Sequence, residues 1–279
     1  MDHFPSAWGR PRNDQNDMYN TYPIHQRPSS HTNTFTEGVQ RTQQPIVTGT
    51  SVLAIQYKDG IMMAADNLAS YGSLARFKDI QRLHPVGPST VIGASGDMSD
   101  FQHLQHTLDA LITDEFTQSD GEANALGPAE VHEYLSRVLY SRRSKMDPIW
   151  NALLVGGLQD GKRFLAYVDL LGTTYSAPSI ATGYGAHIAI PLLRDVVDGH
   201  QDTLTEEDAR QLLHDCMRVL YYRDARSLDK SNSFTASYSI SLYQLATVTA
   251  TGVSISDQIK LDTTWAFAEG LRGYGAQTQ

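Results

Sequence analysis

Short runs of alternating apolar and polar residues predict antiparallel strands along most of the chain. Two of these runs flank Lys58-Asp59-Gly60, and two more flank Asp160-Gly161; both patterns are hairpin signatures. The predicted strands comprise residues 52–57, 61–65, 90–96, 152–156, 164–168, 234–243 and 245–256. A similar order of elements therefore occurs twice, once in each half of the chain.

Apolar residues spaced three or four apart predict a pair of helices in each half. An acidic loop at 113–127 separates the helices of the first pair. The predicted helix starts are Asp97 or Ser99 as a cap, Pro128 in a first turn, about residue 186, and Thr205 with Asp208 as a capping pair. This order fits two antiparallel sheets packed face to face, with a helix pair outside each. We therefore predict an α+β fold, a four-layer αββα sandwich.

The first 44 residues differ from the rest of the chain. They are rich in Asn, Gln, Thr, Pro and His and contain few aliphatic side chains, and core patterning begins only at Pro45. Such a segment cannot bury enough apolar area to offset the entropy lost on ordering. We expect this segment to be disordered or removable.

The composition argues against several classes of protein. A formal net charge of −9 argues against nucleic acid and anionic membranes as partners, and no apolar run reaches the roughly 18 residues that span a bilayer. The single cysteine, Cys216, lies on the apolar face of a predicted helix, which favours a buried thiol in a reducing compartment. His103 and His106 lie on one helix, but no carboxylate or cysteine at a suitable spacing completes a metal site. We expect a soluble intracellular protein without a metal or cofactor.

The segment Gly49-Thr50-Ser51 lies directly before the first predicted strand, with Asp66 and Arg82 at sixteen-residue intervals after Thr50. A threonine hydroxyl can act as a nucleophile at a chain start, where the free amine and a nearby lysine manage its proton. The arrangement resembles that of threonine peptidases, in which a lysine stands where this chain has Arg82. The pKa of a guanidinium lies well above the value of about 10.4 for lysine, so a neutral base costs roughly 4–5 kcal/mol more. That difference corresponds to about a thousandfold in rate or worse.

Several longer motifs occur in a characteristic order. They are TGTS at 48–51, GIMMAAD at 60–66, IGASGD at 92–97, VGGLQDG at 155–161 and ATGYGA at 181–186. Each is weak alone, but in this order and spacing the chain from Pro45 to about Gly275 resembles a β-type subunit of the 20S proteasome. That family has the Ntn-hydrolase fold, so the resemblance also implies an αββα sandwich.

The resemblance assigns the catalytic positions of active β-type subunits to residues of this chain. The nucleophile falls on Thr50 behind Gly49, the orienting carboxylate on Asp66, the lysine on Arg82, the oxyanion glycine on Gly96, the supporting serine on Tyr184, and the later Asp-x-x-Ser-Gly stretch on Asp224, Ser227 and Leu228. Arg82, Tyr184 and Leu228 depart from the pattern, and the last two add bulk where active members have a hydroxyl and a bare backbone. We therefore predict a vestigial site without competent catalytic residues.

The same resemblance divides the chain into three segments. Residues 1–41 correspond to a propeptide, 42–262 to the αββα domain and 263–279 to a C-terminal interaction tail. The step Arg41-Thr42 resembles the boundary at which neighbouring subunits trim the propeptide, which would leave the Thr50 nitrogen an amide. The apolar anchors of the tail are Trp265, Phe267, Leu271 and Tyr274, and aromatic residues commonly dominate interfaces.

The function implied by the resemblance is that of a non-catalytic structural and assembly subunit of the 20S core particle, in cytoplasm and nucleus. The particle degrades proteins in an ATP- and ubiquitin-dependent process. The expected partners are the other α- and β-type subunits in stacked seven-membered rings, and the opposite β ring through the tail. Two alternatives remain, an active threonine endopeptidase that uses Thr50 and a peptidase that assembles from copies of one chain. A threonine-directed covalent inhibitor tests the first, and ring formation by the chain expressed alone tests the second.

Overall fold

The computed structural model describes residues 44–118, 126–227 and 242–263. Within them the strands are β1 Val47–Gly49, β2 Val52–Tyr57, β3 Gly60–Asp66, β4 Ala69–Tyr71, β5 Leu74–Phe77, β6 Leu83–Val86, β7 Thr90–Asp97, β8 Asn151–Gln159, β9 Lys162–Val168, β10 Thr174–Ser176, β11 Ser179–Ala181, β12 Leu242–Thr249, β13 Gly252–Ile255 and β14 Ile259–Lys260. The helices are α1 Met98–Gln118, α2 Pro128–Ser144, α3 Gly185–Val197 and α4 Glu206–Arg223.

The described strands form two antiparallel sheets. One sheet has eight strands, in the order β10-β9-β8-β7-β1-β4-β5, with β6 also paired to β7. The other has six strands, in the order β11-β2-β3-β12-β13, with β14 paired to β12. The two predicted hairpins are present as β2–β3, which closes at Tyr57 opposite Gly60, and β8–β9, which closes at Gln159 opposite Lys162.

Three groups of buried apolar side chains hold the sheets and helices together. The first group, which includes Met63 and Leu154, joins the two sheets. The second joins α1 and α2 to the eight-stranded sheet through residues such as Phe101 and Leu135. The third joins α3 and α4 to the six-stranded sheet through residues such as Leu213. The predicted four-layer αββα sandwich is therefore confirmed.

The helix starts follow the predicted capping residues. The Asp97 carboxylate accepts a hydrogen bond from the backbone N–H of Ser99 at 2.8 Å, at the beginning of α1. The Thr205 hydroxyl accepts one from the backbone N–H of Asp208 at 3.2 Å, at the beginning of α4. Pro128 is the first residue of α2, where its missing N–H is not needed.

Cys216 is buried in α4, as its place on the apolar face predicts. Burial, with a smaller contribution from the charge of Asp215, raises the pKa of the Cys216 thiol to about 12. The thiol therefore stays protonated near neutral pH and serves packing. None of the described helices combines the length and apolar character needed to cross a membrane.

Three features of the structure differ from the sequence prediction. The predicted loop at 113–127 begins too early, because α1 continues to Gln118; in this last part the Thr113 and Thr117 hydroxyls donate to carbonyls four residues earlier. The predicted strand at 245–256 is a hairpin of β12 and β13, and Gly252 has a positive φ of 123° where the second strand begins. The alternation pattern also misses β1, β4, β5, β6, β10, β11 and β14, which have too few residues to display a period. Most of the predicted strand at 234–243 lies outside the described residues.

Candidate active site

Five residues of the predicted site lie around the junction of β1 and β2. Thr50 lies in that junction, Asp66 ends β3, and Arg82 directly precedes β6. Gly96 is the second-last residue of β7, and Asp224 directly follows α4. Both sheets and one helix layer therefore contribute to the same small region.

The guanidinium of Arg82 is held on every side. Its Nε–H donates to the Ala94 carbonyl at 3.1 Å, and Nη1 donates to the carbonyl of Asp66 at 3.4 Å and to its carboxylate. Nη2 donates to the carbonyl of Ser51 at 2.9 Å and to that of Thr50. A guanidinium has five N–H donors and no acceptor, so every donor of Arg82 has a partner within the chain. Arg82 is only 1% exposed.

The ion pair of Arg82 and Asp66 is fully buried. Burial raises the pKa of the Asp66 carboxyl from 3.8 to about 6; the charge of Arg82 opposes this rise and that of Asp224 adds to it. Burial also lowers the pKa of Arg82, and the contact with Asp66 opposes that fall. Since a guanidinium does not lose its proton in the ordinary pH range, Arg82 remains charged near neutral pH and cannot accept a proton.

The hydroxyl of Thr50 donates to the Asp224 carboxylate. The other carboxylate oxygen of Asp224 accepts the backbone N–H of Arg226 at 2.9 Å, which fixes its orientation. The Ser227 hydroxyl donates to the carbonyls of Asp224 at 3.0 Å and Leu220 at 3.2 Å. Ser227 therefore supports the end of α4 and makes no hydrogen bond to Thr50.

Strand β1 occupies the space beside the predicted oxyanion glycine. It pairs with β7 through Gly49 opposite Gly96, and with β4 through Thr48 opposite Ser70. On its other side β7 pairs with β8, with Asn151 opposite Gly96. Both edges of β7 are thus filled at Gly96. A peptide from outside could pair there only by displacing β1.

Side chains from three other elements hold the segment that precedes Thr50. The Asp97 carboxylate, which also caps α1, accepts the backbone N–H of Ile46 at 2.7 Å. The Ser70 hydroxyl donates to the Thr48 carbonyl at 3.3 Å, and the Arg226 guanidinium donates to the Thr48 hydroxyl at 3.3 Å. The sequence motifs do not predict these contacts, because they join residues far apart in the chain.

Gly49 has a packing role that the sequence prediction misses. A Cβ atom at this position would lie 2.5 Å from Nε of Arg82 and 3.0 Å from its Cδ and Cζ. Only a glycine therefore leaves room for the arginine side chain. The sequence prediction gives Gly49 only as the residue before the nucleophile position.

The loop that carries Tyr184 is attached to β2 by its neighbours. The Val52 N–H donates to the Thr182 hydroxyl at 2.9 Å, and the Gly185 N–H donates to the Ser51 hydroxyl at 2.8 Å. Tyr184 itself is 57% exposed. The position predicted to correspond to the supporting serine therefore lies at the surface.

Some predicted residues lie outside the described part of the chain. They are Leu228, the boundary residues Arg41 and Thr42, and the tail anchors Trp265, Phe267, Leu271 and Tyr274. His103 and His106 are exposed on α1. Among the described residues there is no group of three or more His, Cys, Asp or Glu side chains that could hold a metal ion.

Two face-to-face antiparallel sheets, with helix pairs outside and a threonine held at their junction, define the Ntn-hydrolase fold. The family model described as "Proteasome subunit" matches residues 46–234. The chain belongs to the proteasome subunit family, as its motifs predict.

Relatives of high identity agree with this membership. The chain is 48% identical to "Probable proteasome subunit beta type-7" of Schizosaccharomyces pombe, over 98% of this chain and 97% of the relative. It is 45% identical to "Proteasome subunit beta type-7" of Saccharomyces cerevisiae, over 99% of both chains. It is also 45% identical to "Proteasome subunit beta type-4" of Xenopus laevis, over 85% of this chain and 91% of the relative. The predicted β-type ancestry is therefore confirmed.

Proposed function

We propose that the chain is a non-catalytic structural and assembly subunit of the 20S proteasome core particle. The observation that carries this proposal is the hydrogen bonding of Arg82. Its five N–H groups donate to four carbonyls and one carboxylate. Because a guanidinium has no acceptor atom, Arg82 cannot take a proton from Thr50. Nη2 also donates to the carbonyl of Thr50 itself, which is not the carbonyl that self-cleavage after Gly49 would attack.

The chain that precedes Thr50 supports the same function. Thr50 continues directly from β1, so its nitrogen is part of a peptide bond and cannot act as a free amine. Strand β1 also fills the edge of β7 at Gly96, where a substrate carbonyl would have to lie. The missing base opposes catalysis by itself, and the acylated nitrogen and the occupied cleft oppose it together for as long as β1 stays attached to Thr50.

The biological role follows from membership in the particle. The relatives named beta type-7 and beta type-4 support a place among the β-type subunits. In this role the chain contributes to a ring and to the wall of the chamber, with other α- and β-type subunits as partners, in cytoplasm and nucleus. Its contribution to ATP- and ubiquitin-dependent degradation is then structural.

The proposal also assigns a role to each end of the chain. Residues 1–41 act as a propeptide that is removed between Arg41 and Thr42, and the tail at 263–279 contacts the opposite β ring through its aromatic residues. Deletion of the tail should reduce the yield of paired rings. Unchanged ring pairing in the deletion variant would refute the role of the tail and leave the rest of the proposal intact.

A threonine-directed covalent inhibitor tests the central claim. The particle that contains this chain is treated with an epoxyketone, and each subunit is analysed by intact-mass spectrometry. We expect adducts on the catalytic subunits of the same particle, which serve as the internal control, and none on Thr50. A stoichiometric adduct on Thr50 would establish the alternative.

That alternative is an active threonine endopeptidase, and one observation favours it. The Thr50 hydroxyl contacts the Asp224 carboxylate, and Asp66 and Gly96 are both retained near it. A carboxylate can act as a general base. It would still have to work against the intact peptide bond at Thr50 and against β1, so the structural role remains the better supported function.

A further inference from the structure

The C-terminal end of α2 continues into an exposed connection between two buried residues. Leu139 is the last buried residue of α2, and the next buried residue along the chain is Ile149. Residues 140–148, which lie between them, are all exposed or half-buried. Because none of these residues belongs to the core, the segment can open locally without uncovering a buried apolar side chain.

Long hydrogen bonds and a partly exposed ion pair close the last turn of α2. The backbone N–H of Lys145 is shared between the carbonyls of Ser141 at 3.3 Å and Arg142 at 3.2 Å. Met146 follows with a positive φ of 55°, which costs energy in a residue other than glycine, and is 79% exposed. The Arg142 guanidinium donates to the carbonyl of Asp147 at 3.1 Å and forms an ion pair with its carboxylate at 3.0 Å. Opening this turn therefore costs little.

Ser144, the last residue of α2, lies within a basic run. Arg142 and Arg143 precede it and Lys145 follows it, in a chain whose net charge is −9. Ser144 is exposed. Arginines on the N-terminal side of an accessible serine form a charge pattern that protein kinases with an acidic substrate groove recognise. Such a kinase binds its substrate in an extended conformation, which the last turn of α2 reaches by opening.

We propose that Ser144 is a phosphorylation site for an arginine-directed protein kinase that uses ATP. The Oγ atom of Ser144 attacks the γ-phosphorus, and the bond from that phosphorus to the oxygen that bridges it to the β-phosphate breaks. The hydroxyl proton passes to a base of the kinase, and ADP leaves. The proposal goes beyond the proposed function and does not depend on it, since it concerns one exposed turn of this chain.

The phosphate opens the last turn of α2. It carries about −1.5 to −2 charges at pH 7, and negative charge is unfavourable at the C-terminus of a helix. Arg142 and Arg143 lie two residues and one residue before Ser144, and side chains at those spacings do not face each other on a helix. The phosphate therefore pairs with Arg142 only when the turn unwinds and the ion pair of Arg142 with Asp147 breaks.

The structure also limits how far the opening extends. The backbone N–H of Trp150 donates to the Asp100 carboxylate at 2.8 Å, and the Trp150 carbonyl accepts the N–H of Asp97 at 2.8 Å. Together with the buried Ile149, these bonds lie beyond the exposed segment. We therefore expect the opening to end at Pro148 and to leave the start of α1 unchanged.

Mass spectrometry of the native chain tests the site. The free chain and the assembled particle are purified from cells with phosphatase inhibitors present, and the peptide that covers residues 134–146 is sequenced. We expect phosphate on Ser144 in at least one of the two fractions. The matched control is Ser141, which is exposed on the same turn but has the arginines on its C-terminal side. Absence of phosphate from Ser144 in both fractions, or equal phosphorylation of Ser141, would overturn the proposal.

Phosphorylation of the full chain in vitro tests how the site is recognised. The probe is a purified arginine-directed protein kinase with Mg²⁺ and ATP. We expect Ser144→Ala to lower phosphate incorporation into residues 134–146 about tenfold, whereas Ser141→Ala leaves it within about twofold. Arg143→Gln should lower incorporation about fivefold, and Arg143→Lys should restore most of it, because the kinase reads the charge. Incorporation that is independent of Ser144 and Arg143 would overturn the proposal.

Hydrogen exchange of the phosphorylated full chain measures the structural consequence. We expect the backbone amides of Lys145, Met146 and Asp147 to exchange about tenfold faster than in the unmodified chain, and the Trp150 amide to keep its rate. Equal exchange rates of the turn in both forms would overturn the opening of the helix end. These outcomes leave the proposed function untouched, because the covalent inhibitor tests that function separately.

Discussion

At the scale of single residues, the arginine that replaces a lysine at position 82 has become part of the core. Among the described residues, Asp66 is the charged group that forms an ion pair with Arg82, and the remaining donors of Arg82 satisfy the backbone carbonyls of Thr50, Ser51, Asp66 and Ala94. Removing one partner of a buried ion pair is costly because the other charge remains unpaired. The side chain at position 82 therefore contributes to the stability of the fold, whereas a lysine there would have contributed to catalysis.

The first prediction concerns Asp66→Asn, which keeps the shape of the side chain and removes its charge. We expect the free energy of unfolding to fall by about 3–5 kcal/mol, since the charge of Arg82 is left buried without a counter-ion. Urea unfolding of the full chain measures this loss. The matched control is Asp202→Asn, because Asp202 pairs with Arg163 at the surface and is 77% exposed, and we expect a loss below about 1 kcal/mol. Equal losses in the two variants would contradict the structural importance of the buried pair.

The second prediction concerns Gly49→Ala. Because the added Cβ would lie 2.5 Å from Nε of Arg82, we expect a loss of about 1–3 kcal/mol in the free energy of unfolding from overpacking. The loss should be smaller when Arg82→Ala is also present, since alanine lacks the Cδ, Nε and Cζ atoms that clash. A double-mutant cycle on the full chain measures this coupling. Strictly additive effects would refute the packing role of Gly49.

At the scale of elements, β1 is a short strand that depends on its surroundings. It has three residues, so its own pairing energy is small, yet Asp97, Ser70 and Arg226 all hold the segment from Ile46 to Thr48. Asp97 links this segment to the start of α1 because one oxygen caps the helix and the other accepts the Ile46 N–H. The strand is thus fixed by tertiary contacts that local propensity does not encode.

The third prediction follows from the two contacts of Asp97. In Asp97→Asn only one oxygen remains as an acceptor, so either the helix cap or the Ile46 contact is lost. We expect faster hydrogen exchange at the Ile46 amide and along β1, with a stability loss of about 1–3 kcal/mol. The control is Thr205→Ala, which removes the cap of α4 at a cost of about 1 kcal/mol and should leave exchange in β1 unchanged. Unchanged exchange at Ile46 in Asp97→Asn would contradict the link.

At the scale of the whole molecule, the sequence predicts the layers well and the site only in part. Long runs such as β2, β3, β8 and β9, and the apolar faces of the helices, display their period clearly, so the sandwich follows from them. The motifs also place Thr50, Asp66 and Arg82 in one site. Contacts between distant residues determine which groups accept hydrogen bonds from Arg82, how much room Gly49 leaves for that side chain, and where β1 lies. A single sequence contains no direct signal for such contacts.

The last prediction joins the site to the assembled particle. Because β1 is a paired strand of the sheet and Ile46 is held by Asp97, we expect trimming of the leader to stop before Ile46, and we predict Thr42 as the first residue of the mature chain. Intact-mass analysis and N-terminal sequencing of this chain from the native particle measure the start. A start at Thr42 keeps β1 in place and the Thr50 nitrogen acylated, as a structural subunit requires. A start at Thr50 would mean that β1 has been removed, that the cleft beside Gly96 is open and that a free amine is available, which together would contradict the structural role.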